Sequence, residues 1–489
     1  MLLGELLQGI AYERVSRFED REIAGITTDS KHVMKGDLFV CFSGGEHDGH
    51  EYAAEALAAG ASALAVEREL PLPAPQIVVK DGRKAAGEIA AAFYEHPEEK
   101  LKVIGVTGTN GKTTTCHMLA SILTAAGKEC GIIGTLGIRY ANREISPDLT
   151  TPDPPYLYKI FADMAEAGVE YVVMEVSAHA LYFGKVDGVR FEAGIFTNFT
   201  EDHLDFFKTM DAYAAAKEKL FEKGRCRFSV FNFDDAEGRK IAASCDNAYS
   251  YALENPADVF AVDIRENFDG CSYVINLSDE LYDIRLNMAG LHNVYNSMAA
   301  AECAKLLGVS TPVIASGLSG LKSVRGRLEH VAQVNGADIF VDFAHTPDGL
   351  EKSLTALKRH CEGRLICVFG CGGNRDAFKR PIMGEIAASN ADFTVLTSDN
   401  PRYEDPFDII LQIEPGVRLH SDKYVIVVDR ESAIEYAIDM LAPGDVLLIA
   451  GKGGETYQEI MGVRHIYSDV SAVKGVLEGK TAGERFHEN

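Results

Sequence analysis

Positive charge is scarce in this sequence of 489 residues: 48 Lys and Arg stand against 73 Asp and Glu, a formal net charge of −25. So acidic a chain argues against a nucleic-acid backbone or an anionic membrane as principal partner, since both are polyanions. Long apolar runs are also missing. No stretch approaches the roughly 20 apolar residues of a membrane-spanning helix, so no membrane insertion is expected. The opening Met1-Leu-Leu-Gly-Glu-Leu-Leu7 lacks a basic n-region and Glu5 interrupts its apolar run, so no signal peptide is expected. Cysteine is present but unpatterned: ten residues between Cys41 and Cys371 form no CxxC pair and no dense framework. A chain this long needs no disulfide staples, and reduced thiols in a cytoplasmic protein are the expectation. Tryptophan is absent, and neither an internal repeat nor a low-complexity segment occurs.

What is present is ordinary globular material, 46% hydrophobic and 25% charged. At roughly 150 residues per domain the length suggests three domains, each large enough for its own core. Apolar β-rich runs alternate with Ala-rich helical patterns, the mark of α/β layers. Three blocks follow: 1–98, 99–325 and 326–489. The first ends in the polar Glu95-His-Pro-Glu-Glu-Lys100, and apolar periodicity breaks again around Lys322–Glu329. The expected fold is α/β in three domains, with a central parallel sheet of P-loop ATPase type and a C-terminal, Rossmann-like, doubly wound sheet. In the last block strands are expected at 338–343, 365–369, 393–397, 424–428 and 446–450, and helices at 349–360, 381–389 and 432–441.

The strongest local signal is Gly108-Thr-Asn-Gly-Lys-Thr-Thr-Thr115, between the apolar Val103–Thr107 and a helical run. Glycines let backbone N–H groups converge on phosphate oxygens, and a helix N-terminus adds positive potential. Lys112 would meet the β/γ-phosphates, and Thr113 can ligate Mg²⁺. The spacing departs from GxxxxGK[ST], because Val106 stands where the first glycine belongs. A tight strand-to-helix turn with an exposed lysine is the plainer alternative, and strand, glycines, Lys and Thr together disfavour it. A triphosphate loop alone fits a kinase, an ATPase or a ligase. Glu175 ends a buried strand and His203 follows the next one, so a carboxylate and an imidazole could complete a metal site beside the phosphates. Lys217, in Tyr213-Ala-Ala-Ala-Lys-Glu-Lys-Leu-Phe221, reads by itself as a surface helix lysine.

Together these residues resemble the Mur ligase family, ATP-dependent amide-bond ligases of peptidoglycan precursor synthesis. The resemblance spans the chain: Thr27-Thr-Asp-Ser30, Gly108–Thr115, Thr150-Thr-Pro-Asp153, Glu175-Val-Ser177, Asp202-His-Leu-Asp205, Leu291-His-Asn-Val-Tyr-Asn296, Gly326-Arg-Leu-Glu329 and Asp342-Phe-Ala-His-Thr-Pro-Asp348. Gly370-Cys-Gly-Gly-Asn-Arg-Asp376, Lys379-Arg-Pro381, Asp399-Asn-Pro-Arg402 and Gly451-Lys-Gly-Gly-Glu455 complete it. Within the family it is closest to members that join a diamino acid to the D-glutamate γ-carboxylate of a UDP-muramoyl-dipeptide through an acyl phosphate. The Arg of Asp-Asn-Pro-Arg typifies those using meso-2,6-diaminopimelate: its guanidinium fork suits the second carboxylate, which lysine lacks.

The resemblance implies roles position by position. Gly108, Thr109, Asn110, Gly111, Lys112, Thr113 and Thr114 would cradle ATP, Asn296 would meet adenine, Asp342 ribose, and Arg327 the phosphates on domain closure. Lys112, Glu175, His203 and Lys217 are the catalytic set. Thr113, Glu175, His203 and a Lys217 carrying a CO₂-derived carbamate would hold Mg²⁺. Ser30 would touch the uridine end of the substrate, while Thr150, Thr151, Ser177 and Lys185 would bind the muramoyl-dipeptide. Arg375, Asp399, Asn400, Pro401, Arg402, Gly451 and Glu455 would form the diaminopimelate site. The family often has Gln and Arg where Phe183 and Lys185 stand, and His at Gly454. A monomer acting on small molecules is expected, with lysine as the added amino acid, or another P-loop amide ligase or phosphotransferase, as the alternatives.

Overall fold

The structure, a computed structural model, describes residues 1–44, 47–146 and 149–487, with side chains to 479. The first sheet has five strands in the spatial order Arg14–Ser16, Gln76–Val78, Ala63–Val66, Asp37–Val40, Gly25–Thr27, and only the first runs antiparallel. Its three central strands are buried on both faces. Leu38, Val40 and Ile77 meet the helix Gly82–Phe93 through Ala85 and Ile89, while Phe39, Leu64 and Val66 meet Ala53–Ala59 on the other side. Asp81 caps Gly82–Phe93 by accepting from the Arg83 and Lys84 N–H groups.

The strand Lys102–Thr107 opens a second sheet of eleven strands. Seven are parallel, in the order Val259–Asn267, Ala248–Ala252, Cys226–Asn232, Phe191–Phe196, Lys102–Thr107, Tyr171–Glu175, Cys130–Gly134. Chain order reverses around Lys102–Thr107, which lies between Phe191–Phe196 and Tyr171–Glu175. The crevice for ligands therefore opens at the carboxyl ends of these three strands. Antiparallel strands extend both edges: Gly270–Leu277 and Glu280–Leu286 on one side, Gly137–Tyr140 and Arg143–Ile145 on the other.

The third sheet has six strands in the order Glu329–Val334, Ala337–Asp342, Val446–Ala450, Leu365–Phe369, Phe393–Leu396, Tyr424–Ile426, parallel except for the first pair. Pro347–Lys358, Lys379–Asn390 and Pro406–His420 pack Leu350, Leu354, Met383 and Ile413 on one face. Arg430–Asp439 and Asp469–His487 pack Ile434 and Val473 on the other. Helices on both faces make this sheet doubly wound. Among the described residues no helix is long and apolar enough to cross a membrane, and all ten cysteines are free thiols.

Candidate active site

One cavity of about 1260 Å³ lies where the second and third sheets face each other. The phosphate-loop segment forms its floor. Gly108 (φ 146°) and Gly111 (φ 86°) take backbone conformations that a side chain would strain, and a Cβ on Gly111 would meet Asn296 Oδ1 at 2.4 Å. Asn198, at the end of the neighbouring strand, accepts from Asn110 N–H at 2.9 Å and donates from Nδ2 to Asn110 O at 3.1 Å. The helix Lys112–Ala125 begins there. Lys112 folds back so that Nζ donates to the Gly108 and Thr109 carbonyls, both at 2.9 Å. Burial lowers its pKa from the ordinary lysine value, against the pull of Glu175 and Asp202.

Thr113 donates to Glu175 Oε1 at 2.9 Å and accepts from Arg327 Nη2 at 2.7 Å. Glu175 also accepts from the N–H (2.8 Å) and Oγ1 (3.2 Å) of Thr135. Arg327 belongs to the segment entering the third sheet, so this contact joins two domains across the loop. Its guanidinium lies 4.4 Å from the Phe343 ring centroid, its Nε is buried without a partner, and burial lowers its pKa. A guanidinium that reaches the phosphate loop through Nη2 and leaves its buried Nε–H without a partner suits an incoming anion. Asn110 Nδ2 donates to Asp348 Oδ2 at 2.8 Å, and Lys379 Nζ stands 3.6 Å from Asp202 Oδ1; both contacts cross the same junction.

His203 takes a left-handed φ of 57° at the start of the short helix Leu204–Phe207, with Nε2 3.3 Å from Asp202 Oδ2. Burial pushes its pKa down to about 3, leaving a neutral imidazole. Burial alone would raise the Asp202 carboxyl; Lys379, His203 and His345 hold it well below the usual range. Lys217 is buried behind this group, not on a surface: it is 1% exposed and its Nζ lies 4.4 Å from the Tyr213 ring centroid. It forms no ion pair among the described residues, and burial, then Lys112, drives its pKa well below the lysine value.

At the other end stand the third-sheet residues. Arg402 (φ 51°) donates from Nη1 to Gly373 O at 2.8 Å and pairs through Nε with Glu459 at 3.2 Å. Partial burial, then the neighbouring Arg402 guanidinium, lowers the Arg375 pKa. A Cβ on Gly372 would lie 2.9 Å from Arg402 Nη1 and 3.8 Å from Arg375 Cγ, so both arginines flank one point of the cavity lining, an arrangement that suits a carboxylate. Asn400 and Glu455 are bonded to each other at 2.9 Å. Arg430 braces the sheet ends from beneath, bonding the Ser398 and Ala450 carbonyls and pairing with Asp469 inside the core.

The cavity thus gathers Thr109–Thr114, Thr150, Glu175, Ser177, His203, Asn296, Arg327, Asp342, Arg375, Asp399, Asn400, Arg402, Gly451 and Glu455. Six expected residues lie off its wall. Gly108 and Pro401 are covered backbone positions, Thr151 bonds the Glu175 carbonyl at 2.9 Å, and Lys217 is buried. Lys185 pairs with Asp153 at 2.7 Å, and Ser30 begins the turn Ser30–His32 in the first domain. Asp342 accepts from the N–H groups of Leu328 and Ala344 and from Ser353, so it also anchors the domain junction. Where the family often has Gln, Phe183 instead covers Arg83, whose guanidinium lies 4.7 Å from its ring and 4.6 Å from that of Phe42. Sequence reasoning missed Thr135, Asn198, Asp348, Arg430 and Lys452. Asp348 and Lys452 sit inside segments already singled out; the others carry no local signal.

A phosphate loop at the switch point of a parallel sheet, roofed by a doubly wound domain that supplies arginines, defines a nucleotide-dependent P-loop enzyme. Three family models match in succession: the Mur ligase family catalytic domain over residues 22–94, the Mur ligase middle domain over 106–304, and the Mur ligase glutamate ligase domain over 326–453. The chain belongs to the Mur ligase family. It is 40% identical to the UDP-N-acetylmuramoyl-L-alanyl-D-glutamate–2,6-diaminopimelate ligase of Clostridium perfringens, over 98% of this chain and 100% of that one. The protein of that name from Geobacillus thermodenitrificans is 40% identical over 94% and 96%. A solved structure of the same name superposes with a TM-score of 0.65 at 32% identity, covering 94% and 95%. The MurF ligase of Thermotoga maritima in complex with ADP shares the fold, with a TM-score of 0.65 at 21% identity, covering 94% of this chain and 98% of that one.

Proposed function

We propose that the chain is an ATP-dependent, ADP-forming ligase of peptidoglycan synthesis that adds meso-2,6-diaminopimelate to the D-glutamate γ-carboxylate of UDP-N-acetylmuramoyl-L-alanyl-D-glutamate. The observation that carries the reading is one cavity lined both by the phosphate loop and by Arg375 and Arg402, which flank Gly372 together. The names of near full-length relatives support the same substrates.

A carboxylate is a poor electrophile, so the γ-phosphoryl of ATP converts one of its oxygens into a leaving group. Lys112 and Arg327 are set to neutralise the transferring phosphoryl, with Arg327 arriving from the third domain. Thr150 and Ser177 would hold the dipeptide so that its γ-carboxylate faces that group. Arg375 and Arg402 would take the distal carboxylate of diaminopimelate and aim its other amine at the acyl phosphate. That amine adds to the carbonyl carbon, phosphate departs, and the nitrogen loses its proton.

Thr113 and Glu175 oxygens in contact form a hard donor pair that fits Mg²⁺, and the neutral His203 imidazole lines the same cavity. When bound, the ion would screen charge between phosphate oxygens. An ammonium at Lys217 does not fit beside a cation, but a buried lysine with a depressed pKa offers the free amine that takes up CO₂ as a carbamate. A monomer in the cytoplasm remains the accompanying proposal.

Purified protein with ATP, Mg²⁺, the UDP-muramoyl-dipeptide and either diaminopimelate or L-lysine tests the function. ADP and phosphate release should require diaminopimelate. Release that requires lysine and ignores diaminopimelate would sink the substrate assignment.

A further inference from the structure

Lys452 follows the buried strand Val446–Ala450 and is 0% exposed. Its Nζ donates to Asn400 Oδ1 at 2.9 Å and to Glu455 Oε2 at 2.8 Å. Asn400 Nδ2 donates to the same Glu455 oxygen at 2.9 Å. Oε2 is therefore engaged twice, while Glu455 Oε1 accepts no hydrogen bond among the described residues. Glu455 lines the cavity and so offers a substrate one oxygen, held in place by two donors.

Lys452 puts a buried positive charge against the Glu455 carboxylate, at the end of the cleft where Arg402 pairs with Glu459. A zwitterionic head, one ammonium with one carboxylate, brings no net charge to that site. A side chain ending in an ammonium alone adds a further positive charge beside Lys452 in a confined space.

We infer that Lys452 is a specificity-determining positioning residue of the amino-acid site, fixing Glu455 and Asn400 and tipping the charge balance against amino acids whose far end is a lone ammonium. The inference rests on the proposed function. Removing the Lys452 charge should make the site one charge more negative, leave Glu455 Oε2 held by Asn400 alone among the described residues, and improve the standing of L-lysine.

The test compares kcat/KM for diaminopimelate and for L-lysine in the wild type, Lys452→Met and Lys452→Gln. Both variants keep partners for the groups Lys452 leaves: Asn400 Oδ1 still accepts from Glu459 N–H at 2.9 Å, and Glu455 Oε2 from Asn400. The diaminopimelate-to-lysine ratio should fall at least tenfold in each, through the KM of the amino acid, with the KM for ATP unchanged. An unmoved ratio in a variant that melts like the wild type, or equal loss with both amino acids, would overturn the role. Should neither variant fold, the wild type decides: norleucine, neutral at its far end, should compete with diaminopimelate better than lysine does, and the reverse order refutes the charge argument. Wild-type turnover of diaminopimelate is the separate control, since its absence speaks against the proposed function and not against Lys452.

Discussion

Lys217 is where residue-scale reading of the sequence was most misleading. Its segment, Ala-Ala-Ala-Lys-Glu-Lys, has the composition of a solvated helix face. The helix Met210–Glu218 nevertheless buries Tyr213, Ala214, Ala216 and Lys217, and Tyr213 and Lys217 sit four residues apart on one face. That spacing was visible; which face turned inward was not, because the cover comes from the preceding helix, through His203 and Phe207, and from the remote phosphate loop, where Thr109 Oγ1 lies 3.4 Å from the Tyr213 hydroxyl. The ring of Tyr213 is 5.2 Å from that of Phe207 and 5.9 Å from His203. Enclosure there lowers the lysine's pKa, which favours the uncharged amine that a carbamate would need: it attacks CO₂, an N–C bond forms and a proton is released. Lys217→Ala should therefore lose activity by roughly 100-fold, the upper range for losing a metal-site supporting group. Short carboxylic acids such as acetate should restore part of it by filling the space with an anion. Steady-state rates with and without acetate check this, and a fully active variant would refute the carbamate.

At the scale of elements, the strands that read clearly were those buried on both faces, such as Tyr171–Glu175 and Leu365–Phe369, which are continuous apolar runs. Val259–Asn267 escaped because only one face is covered and a bulge between Val262 and Arg265 breaks its alternation. Pro406–His420 escaped for a different reason: Pro415 lies inside it, and an interior proline reads as a helix stop. What holds this helix is its neighbour. It crosses Lys379–Asn390 so closely that a Cβ on Gly416 would lie 1.8 Å from the Pro381 carbonyl oxygen, and one on Gly384 would lie 2.3 Å from that of Ile413. Both obstacles are backbone, which cannot swing aside. Gly416→Ala should cost about 3 kcal/mol, the upper range for overpacking. Gly475→Ala is the matched control, because nothing lies within 4 Å of its Cβ in the helix Asp469–His487. It should stabilise by about 0.5–1 kcal/mol through helix propensity alone. Denaturant unfolding of both variants checks the contrast; equal effects would mean the two helices do not touch as described.

The whole molecule poses a charge problem that neither scale below it reveals. The net charge of −25 was legible from composition and argues against a polyanionic partner, yet the proposed substrates are themselves polyanions. The cations that offset this come from separate domains: Lys112 from the phosphate loop, Arg327, Arg375 and Arg402 from the third domain. Their motifs could be marked along the sequence, but their convergence on one cavity depends on the docking of two sheets through Arg327–Thr113, Asn110–Asp348 and Lys379–Asp202. The cationic island acts at contact distance, whereas the acidic surface acts over the Debye length, about 30 Å at 0.01 M salt and about 8 Å at 0.15 M. Raising ionic strength through that range should screen the repulsion of the approaching anion first, because the enclosed contacts of Lys112 and Arg327 are shielded less by salt. The KM for ATP, measured at fixed free Mg²⁺, should therefore fall severalfold between 0.01 and 0.15 M salt and rise only beyond it. A KM that climbs steadily from the lowest salt would mean that the island's field reaches past the acidic surface, and that ATP is steered in rather than admitted against a repulsive field.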